Sequence, residues 1–188
     1  MATDVEICNS AIAKVRGRRI LTLSDDTTEA RLCSALYPVL RKKLLRAHPW
    51  NFSKRRAELA QDAAAPEWGY AYKYQLPSDC LKLLETDIPY NSDWALEEDS
   101  FILSDTSTVF VLYVADITDA ARFDALFAEV LAYMLAAELA LPITGGAAIA
   151  KAMKEAAKEE LAQARSMNAQ ERGSVKQVEA DTWLDARF

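Results

Sequence analysis

The side chains able to carry chemistry are few and scattered in this sequence. His48 is the only histidine, so a nucleophilic triad would have to use it as its base. Its position at the start of a His-Pro-Trp segment favours a packing role or a helix-ending role instead. Three cysteines lie far apart at Cys8, Cys33 and Cys80. They predict small buried side chains in a reducing compartment, not a disulfide framework or a zinc site.

Two further motifs invite a chemical interpretation. Glu97-Glu98-Asp99 could supply a hydrolase carboxylate, but adjacent acids in a polar loop are more often solvated. Gly145-Gly146 lacks the lysine and the strand–loop–helix setting of a phosphate loop, and it predicts a turn between helices. We therefore predict no enzyme, no metal and no cofactor, and we keep a small hydrolase as an alternative.

Charge is distributed unevenly along the chain, whose net charge is −6. Up to Ala60 there are 12 Lys and Arg against 6 Asp and Glu, whereas the remainder has 10 against 22. The simplest interpretation is that the basic and acidic halves compensate each other within the fold. The basic side chains Arg41, Lys42 and Lys43 crowd the end of a predicted helix, and we assign them to contact with an acidic partner. A nucleic-acid-binding or regulatory protein that uses segment 41–56 is the alternative, although this segment lacks interleaved aromatic residues for base stacking.

A nearly all-apolar helix is predicted over Thr118–Leu141, begun by Thr118 and ended before Pro142. Glu129 and Glu138 argue against a membrane span, because acidic groups inside a bilayer are costly. This helix should be the core of a soluble helical domain. Its partners would be a helix opened by a Thr3–Glu6 capping box, a helix with Pro38 inside it, and a helix over 147–167 that forms a hairpin with it.

The segment between the long helices has the pattern of short strands. Strands are predicted over residues 52–59, 80–86, 94–96, 101–103 and 109–117, in one small antiparallel sheet. A period of two in residues 68–74 should place Trp68, Tyr70, Tyr72 and Tyr74 on one face of a strand. The predicted fold is α+β. It has a four-helix bundle-like domain (1–49 and 118–167), an inserted small antiparallel β-domain (50–117) and an extended C-terminal tail (168–188).

The tail is polar and has too few apolar groups to fold by itself. Trp183, Leu184, Arg187 and Phe188 cluster at its end, and Trp and Arg are common at interface hot spots. We predict that this cluster anchors the tail on a neighbouring subunit or a partner. The alternative is a strap that folds back over an apolar groove of its own helices.

Several segments resemble the tail tubular protein A family, the head–tail adaptors of tailed bacteriophages, in the same order along most of the chain. The resemblance weakens over 87–100 and 168–176. It is carried by Thr3-Asp-Val-Glu-Ile-Cys-Asn-Ser-Ala11, Arg46-Ala-His-Pro-Trp-Asn-Phe52, Trp68-Gly-Tyr-Ala-Tyr-Lys-Tyr-Gln-Leu-Pro-Ser-Asp-Cys-Leu81, Tyr113-Val-Ala-Asp-Ile-Thr-Asp119, Phe123 through Pro142, and Asp181-Thr-Trp-Leu-Asp-Ala-Arg187.

The resemblance implies a helical part that carries an inserted β-domain, and a ring, dodecameric when assembled, below the portal protein. DNA would leave the capsid through this ring without specific binding. The helical part and the tail would contact the portal and neighbouring subunits. The β-domain would face the tail tube or nozzle, and we assign Tyr90 and Trp94 to that side. The expected location is the virion head–tail junction, after synthesis in the host cytoplasm, with no membrane involved.

Overall fold

The computed structural model describes residues 2–171 of the chain. Four helices and six strands make up this part. The helices are α1 (Asp4–Lys14), α2 (Thr28–Ala47), α3 (Ala125–Thr144) and α4 (Ala147–Gln170), and the strands are β1 (Lys54–Glu58), β2 (Tyr72–Gln75), β3 (Cys80–Thr86), β4 (Trp94–Glu97), β5 (Phe101–Ser104) and β6 (Phe110–Ala115).

The first two helices begin at side-chain caps. The Thr3 hydroxyl accepts a hydrogen bond from the Glu6 amide, and the Glu6 carboxylate accepts one from the Thr3 amide, so the predicted capping box is confirmed. Thr27 caps α2 through the Ala30 amide. The two helices are joined by a hydrogen bond from the Tyr37 hydroxyl to the Asp4 carboxylate at 2.7 Å.

The predicted start of the central helix at Thr118 is wrong, because α3 begins six residues later behind the cap Asp124. The Asp124 carboxylate accepts hydrogen bonds from the Leu126 and Phe127 amides. A short 3-10 helix, Ala120–Arg122, precedes it, and Phe123 is then extended, with its ring 4.9 Å from that of Phe127. Phe123 and the cap Asp124 are both extended, and they separate the 3-10 helix from α3 where the apolar pattern predicted a continuous helix.

The predicted end of α3 before Pro142 is also wrong. The helix continues through Pro142 and ends at Gly145, which has φ +68° and whose amide hydrogen-bonds the Leu141 carbonyl. A glycine takes this left-handed conformation without a steric penalty. The helix therefore ends at its glycine, and Pro142 is accommodated in the last turn.

α3 is the centre of the helical part and packs against α1, α2 and α4. It is long and apolar enough to cross a membrane by length and composition alone, but the core helix of a soluble protein has the same properties. Its acidic Glu129 forms an ion pair with Lys14 at 2.7 Å, and the Lys14 ammonium lies 3.9 Å from the centre of the Tyr133 ring. An α1 residue thus stabilises the charge on α3.

The strands form two three-stranded antiparallel sheets, ordered β1-β6-β3 and β2-β5-β4, and the prediction of one sheet is wrong. Residues 60–62 run from the first sheet to the border of β2, where the Asp62 amide donates to the Lys73 carbonyl at 2.7 Å. The aromatic stripe is also shorter than predicted. Gly69 has φ +89° and interrupts the extended chain, so only Tyr72 and Tyr74 lie in β2, and Trp68 is 86% exposed.

The β1-β6-β3 sheet lies directly on the helices. Leu81, Leu84 and Val114 pack in the helical core, and Phe52 and Phe123 contact both this core and the core between the sheets. β1 and β6 are paired, with Lys54 opposite Val114, so the two ends of the predicted insertion lie side by side. The structure confirms an α+β fold, whereas the division into two domains and the bundle-like arrangement stay predictions.

The carboxyl-terminal boundary differs from the prediction. Residues 168–170, assigned to the tail, belong to α4. Asn168 is held there by hydrogen bonds to residues before β1, as described below. The rest of the predicted tail, with its four anchor residues Trp183, Leu184, Arg187 and Phe188, lies outside the described residues.

Candidate interaction surfaces

The segment between α2 and β1 is tied to the end of α4 through Asn168. The Asn168 Oδ1 accepts from the Asn51 amide at 2.9 Å, and the Asn51 Nδ2 donates to the Asn168 carbonyl at 2.9 Å. The Asn168 Nδ2 is left facing His48 Nε2 at 3.0 Å. Since an amide nitrogen can only donate, His48 Nε2 is the acceptor and its ring is neutral.

Aromatic packing completes this junction. Trp50 is buried, its indole N–H donates to the Leu44 carbonyl at 3.0 Å, and its ring meets Phe127 edge-on at 5.2 Å. The His48 ring packs edge-on against Trp50 at 4.8 Å. Burial lowers the pKa of His48, with smaller contributions from the nearby Arg165, Lys54 and Lys82 charges. The geometry gives His48 a structural role at the junction of three elements.

Among residues 2–171, no cluster of three or more His, Cys, Asp or Glu side chains could hold a metal ion. The acidic motif considered for hydrolysis lies in the turn between β4 and β5. There Glu98 and Asp99 both have positive φ values, and both are exposed. The Ser100 amide closes the turn on the Glu97 carbonyl at 3.0 Å.

The predicted basic surface separates into one buried and two exposed side chains. Arg41 is only 6% exposed, and its guanidinium donates to the Asp116 carboxylate at 2.8 Å. Lys42 approaches the same carboxylate at 3.4 Å but is more than half exposed. Asp116 follows β6, so the ion pair holds α2 against the β-region. Lys42 and Lys43 present charge at the surface, whereas Arg41 does not.

Lys43 borders an apolar groove between α2 and α4, with α3 as its floor. The groove has a volume of about 170 Å³. Leu40, Met134, Ala137 and Leu161 form its apolar lining. Its rim carries Lys43 on the α2 side, Lys154 and Lys158 on the α4 side, and Glu138 on α3. Lys158 also pairs with Glu155 at 2.9 Å.

A second surface lies at the outer strand of the β2-β5-β4 sheet. β4 is an edge strand, and its residues Trp94 and Leu96 share one face and are 41% and 42% exposed. Tyr90, in the loop before β4, is fully exposed. An exposed apolar edge strand is a template for another protein chain, because its backbone N–H and C=O groups lack partners along one side.

The structure thus places Trp94 on the edge strand of the β2-β5-β4 sheet, Tyr90 in the loop before it, and Lys42 and Lys43 on the helical part. Sequence reasoning missed Asp116 as the partner of Arg41 and Lys42. It also missed Leu96 beside Trp94 on β4, and Asn168, which is hydrogen-bonded to Asn51 and His48. For Leu96 a signal was present in the alternation with Trp94. Asn168 and Asp116 are polar residues whose partners are more than 70 positions away, so local patterns carry no trace of them.

No protein-family model matches this chain, and no curated protein matches it with statistical significance.

Proposed function

We propose that this protein is a virion structural protein, a head–tail adaptor that forms a ring between the portal and the tail tube or nozzle and lines the channel for DNA exit. Segments resembling the tail tubular protein A family, in order along most of the chain, support the proposal. The helical part would carry the portal-facing contacts, and the β-region would face the tail.

The structural observation behind the proposal is the apolar edge at β4. Trp94, Leu96 and Tyr90 expose large apolar side chains on a strand that can accept a further strand. At the helical part, the exposed cations Lys42 and Lys43 suit an acidic portal or neighbour surface. The β-strands and the helical part therefore each offer a surface for protein partners.

The experiment mixes the purified protein with the portal protein of the same virus and measures the mass of the products. We expect a ring of this protein on the portal, a dodecamer, and recruitment of the tail protein to that ring. Trp94→Ser with Leu96→Ser should leave the portal complex intact and abolish recruitment of the tail protein. Trp68→Ser is the control, because Trp68 is even more exposed than Trp94 but lies in a loop and not on the edge strand.

The same sample tests the nucleic-acid alternative. Duplex DNA of random sequence should bind the free protein negligibly at physiological salt, since the chain carries a net charge of −6. Tight, salt-sensitive binding together with no portal complex would replace the adaptor proposal with a nucleic-acid-binding function. Lysis of cell-wall material by the purified protein would favour the second alternative, a small virion-associated hydrolase.

A further inference from the structure

The groove between α2 and α4 is large enough to bind one aromatic side chain, and its positively charged rim suits a side chain that is flanked by acidic residues. Its volume is about 170 Å³, and an apolar cavity of roughly 150 Å³ holds a benzene ring. It is too small for a whole helix. Met134, Ala137 and Leu161, which line it, are all only partly buried, so the groove is open to an occupant.

The rim of the groove favours carboxylates on both of its walls. Lys43 lies on the α2 side and Lys154 on the α4 side, and both are exposed. Lys158 is a third cation of the rim, and it also forms an ion pair with Glu155. Glu138 is the one acid of the rim, and a carboxylate there can accept an indole N–H.

One segment of this chain has the matching chemistry. In Asp181-Thr-Trp-Leu-Asp185 a tryptophan lies between two aspartates, each two residues away, and Glu179 adds a third acid. Trp94 also lies between acids, Asp93 and Glu97, but it is held in β4. Of these two tryptophans, only Trp183 lies outside the described residues, so only Trp183 is available for the groove.

The length of chain after α4 allows this contact within one molecule. The groove residues Lys154–Leu161 lie 10 to 17 residues before Glu171, which is about 15–26 Å along the helix. Trp183 lies twelve positions after Glu171, and an extended chain of that length spans about 40 Å. Gly173 follows closely after the helix end, where a glycine permits a reversal of direction.

We propose that the groove is the docking site for the chain's own carboxyl-terminal segment, with the Trp183 ring in the groove and Asp181 and Asp185 facing the lysines of the rim. A tethered segment has a high effective concentration at such a site, which favours it over the same segment of another molecule in dilute solution. Burial of the ring stabilises the contact, and the exposed ion pairs mainly set its orientation. The inference concerns the free chain and does not rest on the adaptor function.

Disulfide trapping in the full-length chain tests the contact. Ala137→Cys is combined with Leu184→Cys in a Cys80→Ser background, since Cys8 and Cys33 are fully buried. Ala162→Cys with Leu184→Cys is the control, because Ala162 follows the groove residue Leu161 in α4 but is itself exposed and does not line the groove. Under mild oxidation we expect a disulfide within one chain, formed about tenfold faster than in the control.

A second measurement covers the case in which a cysteine variant folds poorly. Trp183→Ala should lower the Tm of the full chain by roughly 5–10 °C, and Lys43→Glu with Lys154→Glu should lower it less. The effects should not add, because both changes disrupt one contact. Trp68→Ala should leave the Tm unchanged, since Trp68 is exposed.

Each outcome decides the proposal. Cross-linked dimers in place of the intramolecular product would assign the groove to the segment of a second copy and overturn docking within one chain. Cross-linking no faster than in the control, with additive or absent Tm effects, would show that the segment does not occupy the groove. The portal-binding experiment is independent of these results, so failure of one proposal leaves the other standing.

Discussion

Arg41 shows how the position of one side chain changes the meaning of a charged cluster. Its guanidinium and the Asp116 carboxylate are both largely removed from water and 2.8 Å apart. A charge left buried without its partner is strongly destabilising, so we expect Arg41→Ala to cost about 3–5 kcal/mol of unfolding free energy. Urea unfolding measures this cost.

Lys42→Ala is the control for that measurement. Lys42 is more than half exposed, and exposed ion pairs contribute only about 0–1 kcal/mol. Equal losses for the two variants would contradict the assignment of Arg41 to the interior. The test of portal docking should therefore replace only Lys42 and Lys43 by acidic residues. We expect these substitutions to slow docking on the portal and to alter its salt dependence, without unfolding the chain.

His48 makes the stability depend on pH. Its pKa is lowered from 6.5 in the folded protein, chiefly by burial, and protonation would remove the acceptor of the Asn168 amide. The unfolded chain then binds the proton more tightly, so stability is complete above pH 6.5 and declines as the pH falls below it. Because this is the only histidine, His48→Gln should abolish the decline between pH 6.5 and 5, as measured by urea unfolding at each pH.

At the scale of elements, the start of α3 gives a direct test. Asp124 accepts two amide hydrogen bonds of the first turn, so we expect Asp124→Ala to cost about 0.5–2 kcal/mol. Thr118→Ala, at the position favoured by the sequence pattern, should cost almost nothing because Thr118 is exposed and precedes the 3-10 helix. Thermal unfolding of the two variants compares them, and a larger loss at Thr118 would contradict this helix boundary.

At the scale of the whole molecule, the question is how far the β-region is separate. The ends of the insertion meet at the pairing of β1 with β6, which allows a short linker to replace residues 51–116. That replacement also removes Asp116 from Arg41 and exposes apolar surface that Leu81, Leu84 and Val114 cover. We expect a helical protein with a clearly lower Tm than the full chain, and with portal docking but no recruitment of the tail protein.

Circular dichroism and thermal unfolding of this deletion variant provide the measurement. Loss of the helical signal would show that helices and sheets form one folding unit and would contradict the predicted boundary. An unchanged Tm would show that the packing between the β1-β6-β3 sheet and the helices contributes little.

The sequence by itself determined the elements whose signals are local. The capping box at Thr3, the full extent of β3 and the helical hairpin of α3 and α4 follow from side-chain hydrogen bonds, residue shape and apolar periodicity within a few positions. The assignment of Trp94 to the tail-facing side stays a prediction, and its exposure is known only from the structure. The edge strand that gives this exposure meaning appears only in the pairing of β4 with β5.

Tertiary structure decided what depends on partners distant in the chain. The charge of Arg41 is the same in any environment, but only the approach of Asp116, 75 positions later, buries it. By sequence pattern Asn168 belongs to a polar tail, whereas in the structure its hydrogen bonds to Asn51 and His48 fix it at the end of α4. The division of six strands into two sheets depends on which edges meet, and the groove exists only because α2 and α4 pack on α3 with a gap between them. Such contacts depend on the energy of non-local packing, which periodicity along the sequence does not encode.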